Sequence, residues 1–498
     1  MVTLNATLRT LGLALLLLAP TAWGDNRGGG SGSGGSSGGS GSSGLSRPMT
    51  LPSPPTSGWP GGRTTSNNPG SNNSGKDGAR TDDATKDAAK DGAGPGRNGR
   101  EDGSTRDGSG RREGDDRNGG PLPRPGADMP EARWQRGDQL VRSNPLAYER
   151  DPIGAPVLRA EITMLLPADA ELPATLARRG FIAVRESAVL GRRLIVLRTP
   201  ADLTLARAVA LGRRLVPDAE IDFNHVLLGS GRTEPARRAP PPPAPAASAP
   251  PPEPVHVGLI DEALLPGGEL TLPGEVRPVG ARCLSRAVPE GHGQAVALVL
   301  ARGLQQAGRR PVLHAADLGC GQGAVDAIAT ALQALDAERV PVVNVSAVGP
   351  YNRVMAAVVA AFLARGHLLV AAVGNDGPAA PPLYPAAYPG VVAVTAVDRQ
   401  GRVLVEAGRG EHVAFAAPGI VELPGPDGTT RTWRGTSLAA PVVAAALALR
   451  LRQPDPAAAQ AAVAQLARNS LDAGEPGRDR IYGHGIVGLP ATALAAVH

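Results

Sequence analysis

Two apolar rhythms alternate through the second half of the chain. Largely apolar runs at 255–260, 342–346, 368–373 and 391–397, interrupted only by His256, Asn344, Ser346 and Thr395, have strand length, and their lack of regular polar alternation marks strands covered on both faces. Between them, Ala-rich stretches at 295–306, 325–335, 354–365 and 438–450 predict helices. Strand then helix, repeated, predicts a parallel sheet flanked by helices. Upstream the spacing differs. Residues 157–166, 181–185, 193–198 and 220–228 read as strands, while 169–179, with Leu172 and Leu176 four apart, and 203–215, with Leu205, Val209 and Leu211, read as helices. The order β-α-β-β-α-β over 156–228 predicts a small ferredoxin-like α+β module.

Composition accounts for what lies outside these segments. The 498 residues include 65 Gly and 49 Pro but only four Trp, five Tyr and four Phe, too many chain breakers for one uniform globule. Residues 1–24 carry one cation, Arg9, then an apolar run over 11–20 and the small residues Ala22 and Gly24, the layout of a cleaved secretory signal peptide. That run is about half the roughly 20 residues that span a bilayer, so no integral membrane segment is expected after cleavage. Residues 25–150 are rich in Gly, Ser, Asn, Asp and Arg and offer little to bury, which predicts a disordered arm serving as a spacer. Residues 229–254, with Pro240 to Pro243 and Pro250 to Pro252, predict an extended, protease-accessible linker.

Charge narrows the function classes. Lys and Arg number 51 against 46 Asp and Glu, a net charge of +5, and in 25–150 the two signs are mixed at 18 to 16. No block of one sign marks a nucleic-acid surface, and no nucleic-acid partner is expected. Two cysteines exclude a four-Cys zinc site or a disulfide-dense scaffold. In an exported chain a pair of cysteines is more often bridged than free, which favours a Cys283–Cys320 bridge over a reactive thiol. The histidines at 256, 314, 367, 412 and 484 have no metal-ligand spacing and no acidic calcium loop is present, so neither metal nor cofactor is expected.

In open α/β sheets ligands bind beyond the carboxyl ends of the strands, so polar residues directly after apolar strands are the candidates for chemistry. Asp261 ends the 255–260 strand, His292 opens a helix in Gly291-His292-Gly293, Asn375 follows Val373-Gly374, and Ser437 lies in Gly435-Thr436-Ser437-Leu438-Ala439-Ala440-Pro441. Singly, each is explained as a turn former or helix cap. Together they are an acid, a base, an amide donor and a hydroxyl, the parts of a nucleophilic relay.

The segments 434–441, 373–378 with 384–394, and 343–350 resemble the nucleophile, oxyanion and substrate-binding motifs of subtilisin-like serine peptidases, the subtilases. The resemblance covers 255–494. It implies an α/β fold with a subtilisin-like parallel sheet over 255–498, and it makes the module at 156–228 a propeptide domain. It implies catalysis by Asp261, His292 and Ser437, an oxyanion hole from the Asn375 amide and the Ser437 N–H, and substrate binding along Ser346, Ala347 and Gly349 with Gly374. The chain is then an exported, periplasmic or secreted endopeptidase of broad specificity, made as a zymogen. Its partners would be protein or peptide substrates and its own propeptide. Glu262, Ala263, Gln294 and Ala295 depart from the family's usual residues beside the Asp and the His, and they motivate the alternative of a catalytically impaired binding protein on the same fold.

Overall fold

The computed structural model describes residues 131–229, 232–238, 252–261, 272–280, 291–318, 323–424 and 429–489. The segment expected to be a signal peptide, most of the expected arm, the centre of the expected linker, Glu262, Ala263 and both cysteines lie outside the described residues, so the expected Cys283–Cys320 pairing does too.

The first elements begin earlier than composition suggests. Helix α1 (Glu131–Ser143) and strand β1 (Tyr148–Arg150) lie in the stretch assigned to the arm, and β1 pairs antiparallel with β2 (Pro156–Pro167). Next come α2 (Ala174–Arg178), β3 (Ile182–Val189), β4 (Arg192–Arg198), α3 (Leu205–Leu215) and β5 (Glu220–His225). The sheet runs β3, β4, β2, β5 with every neighbour antiparallel, the ferredoxin-like order. Helix α2 is shorter than its Leu spacing predicts because Pro173 sits at its N-cap and biases the residue before it away from helix. The β3–β4 hairpin turns at Leu190 and Gly191, both with positive φ.

Two further strands lie in or against the linker stretch: β6 (Leu228–Gly229) and β7 (Arg232–Arg238). The larger layer follows, with β8 (Pro254–Asp261), β9 (Glu275–Val279), α4 (His292–Gln306), β10 (Arg310–Asp317), α5 (Val325–Ala337), β11 (Val342–Val345), β12 (Ala347–Val348), α6 (Arg353–Ala364), β13 (Leu368–Ala372), β14 (Val392–Val397), β15 (Val413–Pro418), β16 (Ile420–Pro424), β17 (Thr429–Arg434), α7 (Thr436–Ala448) and α8 (Pro456–Asn469). Seven strands form one parallel sheet in the order β15, β14, β13, β11, β8, β10, β9. Alternation within each strand divides the core. Val255, Val257 and Leu259 pack with Leu300, Leu304 and Val443 from α4 and α7. Ile260, Val343 and Val345 pack with Leu332 and Val358 from α5 and α6 on the other face. Helix α7 is buried nearly all round, which its Ala and Val content permits.

The ferredoxin-like module sits on α5 and α6. Asn352, the N-cap of α6, accepts from the Met355 amide, donates from Nδ2 to the Phe223 carbonyl at 2.9 Å and lies 3.0 Å from His225 Nδ1. His225 Nε2 in turn lies 3.0 Å from Asp151 Oδ2 in a buried pair, so the ring bridges β1's flank to α6. Asp222 accepts from the Arg353 amide at the same helix start, and Arg185 joins Glu161 to Asp326 beside α5. Carboxylates at helix N-termini are where the helix dipole favours them.

Candidate active site

The sheet brings four of the predicted positions to one end. Asp261 is the last residue of β8, Ser346 follows β11, and Gly374 and Asn375 follow β13. Across the sheet, α4 starts at His292 and α7 carries Ser437 in its first turn.

His292 Nδ1 lies 3.0 Å from Asp261 Oδ1, and both side chains are buried. With an ionised Asp261 as acceptor, Nδ1 carries the proton and Nε2 is left as the basic nitrogen. The edge of the Trp433 ring stands 6.2 Å from the His292 ring, centroid to centroid, and Trp433 is itself buried. Trp433 was not singled out from sequence. Its only signal is a rare aromatic four residues before Ser437.

Asn375 is oriented through its oxygen. Oδ1 accepts from the Thr436 amide at 3.0 Å, and Thr436 Oγ1 accepts from the Gly374 amide at 3.2 Å. Asn375 Nδ2 and Ser437 Oγ are buried with no hydrogen-bond partner among the described residues. A donor with its acceptor end already tethered is poised for an anion, and the first turn of α7 adds amides and a positive dipole end. Gly374 has φ +95°, and a Cβ there would come within 2.4 Å of Leu383 Cδ1. Gly435 has φ +138°, which lets the backbone leave β17 and enter α7 directly.

Ser346 Oγ accepts from Asn344 Nδ2 at 3.0 Å and donates to the Ser437 carbonyl at 3.2 Å, tying β11 to α7. Ala347 lies in β12, and Gly349 exchanges both backbone hydrogen bonds with Tyr384. The chain's own segment after β5 pairs along β12. Leu228 and Gly229 pair antiparallel with Val348 and Ala347, while the Leu227 amide donates to Gly323 O at 2.9 Å on the opposite side. The Leu227 side chain packs over Gly349, where a Cβ would meet it at 3.1 Å.

Helix α1 also reaches the site. Arg133 Nε lies 3.2 Å from Asp376 Oδ2, both side chains nearly inaccessible, one residue beyond Asn375. Burial pulls the Arg133 guanidinium below its usual range and the Asp376 carboxylate opposes that. Among the described residues no cluster of three or more His, Cys, Asp or Glu could hold a metal ion. His256 and His314, with ring nitrogens 2.8 Å apart on β8 and β10, form a pair away from the strand ends.

A family model described as the subtilase family matches residues 288–485. The minor extracellular protease Epr of Bacillus subtilis (strain 168) is 31% identical over 255 residues, 49% of this chain and 39% of that protein. Subtilisin BL of Lederbergia lenta is 31% identical over 210 residues, 40% of this chain and 77% of that protein. Fervidolysin of Fervidobacterium pennivorans, a keratinolytic enzyme related to subtilisin, aligns structurally with 17% identity and a TM-score of 0.49 over 68% of this chain and 61% of that chain. Identity of 31% across 77% of subtilisin BL, with the family match spanning His292, Asn375 and Ser437, makes this chain a member of the subtilase family of serine-type endopeptidases.

Proposed function

We propose that the chain is an exported serine endopeptidase, made as a zymogen, that hydrolyses peptide bonds through Asp261, His292 and Ser437. The observation that carries the reading is the Asp261–His292 hydrogen bond, formed at the strand end where Asn375 is tied to the amide beside Ser437. Serine is a weak nucleophile at neutral pH, so His292 Nε2 takes the Ser437 proton as Oγ attacks the carbonyl. Asp261 holds the ring's tautomer and stabilises the imidazolium. Negative charge develops on the carbonyl oxygen and is met by Asn375 Nδ2 and the Ser437 N–H. Collapse of the tetrahedral species breaks the C–N bond, and His292 returns the proton to the leaving amine. Water, deprotonated by His292, then hydrolyses the acyl-enzyme, and the proton passes back to Ser437 Oγ.

Residues 131–229 are the propeptide in this reading. Pairing of Leu228 and Gly229 with β12 supports an inhibitory role, since a substrate strand would need the same edge. Maturation cuts between Gly229 and Arg232. Broad specificity follows from main-chain recognition along β12. Export rests on residues 1–24 and agrees with the similarity to a minor extracellular protease. Among the described residues no helix is long and apolar enough to cross a membrane.

One observation favours the second reading, a catalytically impaired binding protein: Ser437 Oγ makes no hydrogen bond to His292. Such contacts often tighten only with substrate in place. Labelling with a fluorophosphonate separates the two. A Ser437 adduct, absent from Ser437→Ala, is the expected result, and a wild-type chain that takes no label overturns the peptidase reading.

A further inference from the structure

Strand β17 has two edges, and both are taken. Strand β16 pairs along one, and β7 pairs antiparallel along the other from Arg232↔Arg434 to Arg238↔Thr429, with one irregularity between Thr430 and Thr432. The strand leads straight to the nucleophile, since Arg434 is followed by Gly435, Thr436 and Ser437. On the other side of Ser437, Gly229 is paired with Ala347, the neighbour of Ser346, whose Oγ touches the Ser437 carbonyl. Only two residues separate Gly229 from Arg232. The precursor therefore enters the site on β12 and leaves it on β17, and its ladder on the leaving side is much the longer.

We infer that the β17 edge binds the downstream half of the substrate, and that the enzyme's substrates are polypeptides able to lie extended for about seven residues past the cut bond. This rests on the peptidase reading of the same site. An open strand edge presents a row of N–H and C=O groups that any extended chain can pair with, whatever its side chains. That β7 is seated there establishes that the edge accepts an antiparallel strand running away from the nucleophile. The edge is also held firmly. Arg434 donates to both Glu406 carboxylate oxygens at 2.6 and 3.1 Å, and Trp433 is buried against His292. Occupancy of the edge thus bears on the ring beside the base. Short substrates whose leaving group is a dye or a single residue cannot use it.

The test is a series of peptides with identical residues upstream of the cut bond and two, four, six or eight residues downstream, assayed with the self-processed enzyme. The expected kcat/KM rises at least tenfold across the series and levels off near seven. On the longest peptide, single backbone N-methylations past the cut should cost tenfold or more at alternate positions and less than twofold between them, because successive N–H groups of a strand point to opposite sides. A flat length dependence, including one caused by residues 232–238 staying on β17 after maturation, overturns the inference. So does an N-methyl effect without alternation. Failure of the peptidase reading looks different: no peptide in the series is cut, or the cutting survives Ser437→Ala.

Discussion

Asn375 Oδ1 accepts a hydrogen bond from the Thr436 amide at 3.0 Å, which ties the end of β13 to the first turn of the helix bearing Ser437. The bond is made by the oxygen, so it aims the amide nitrogen without using it. Replacing Asn375 with Ala removes both functions and leaves a buried amide unpaired, at a cost of about 1–3 kcal/mol in stability. Asn375→Asp keeps the acceptor and loses the donor. Both variants should lose about 10²- to 10³-fold in kcat, a scale borrowed from a subtilisin asparagine in the same role. Only the Ala variant should also melt earlier in a thermal scan, and an Asp variant with full kcat would remove Asn375 from the oxyanion role.

Ser437→Ala should leave the precursor uncut. Mass spectrometry of wild type should find a new N-terminus at residue 230, 231 or 232, with α1 and the ferredoxin-like module released together. A Ser437→Ala precursor that still shortens there would assign maturation to another protease.

Gly374→Ala places a Cβ at a φ of +95° and against Leu383 Cδ1. Backbone strain of this kind costs about 1–3 kcal/mol. The melting temperature should fall by several degrees, and kcat should fall as well, because Asn375 is the next residue. Unchanged melting would mean that the loop relaxes freely.

The His256–His314 pair sets an acid limit on stability. Burial, then the neighbouring His256, lowers the His314 pKa to about 4, opposed by Glu338 and Glu275. The unfolded chain therefore takes up the His314 proton near its ordinary pKa of about 6.5 while the folded chain resists it. The stabilisation is complete above pH 6.5 and is lost as pH falls toward 4, by about 3 kcal/mol from this group. Denaturant titrations between pH 7 and 4 should show a shallower acid slope for His314→Gln than for wild type. Equal slopes would refute the linkage.

Much of the site was readable from local pattern. Asp261, Asn375 and Ser346 each follow an apolar run, and a parallel sheet puts such residues at one end whatever the strand order. Other features were not readable for identifiable reasons. Strand β10 has only Val312 and Leu313 as large apolar residues, between Pro311 and His314-Ala315-Ala316, so its β signal is weaker than that of β8, which also carries a histidine. Strands β16 and β17 follow no long apolar stretch. Helix α1 lies in polar sequence and is placed by tertiary contact, in part the buried Arg133–Asp376 pair. Strand β7 contains a proline and three arginines, and it is a strand only because β17 offers an edge.

Periodicity and short motifs report on neighbours in the chain, so the amino-acid order was enough for the strand and helix alternation, the ferredoxin-like module, and the identities of an acid, a base, an amide and a hydroxyl. Convergence is a different kind of fact. His292 meets Asp261 across 31 residues, Thr436 meets Asn375 across 61, and Ser346 meets Ser437 across 91. Those distances close only when β8 takes its place between β10 and β11 and α7 is buried under the sheet, a strand order settled by packing two apolar faces at once. The pairing of Leu228 and Gly229 with β12 and of Arg232 to Arg238 with β17 belongs to the same category, because it needs two strand edges that exist only in the folded molecule.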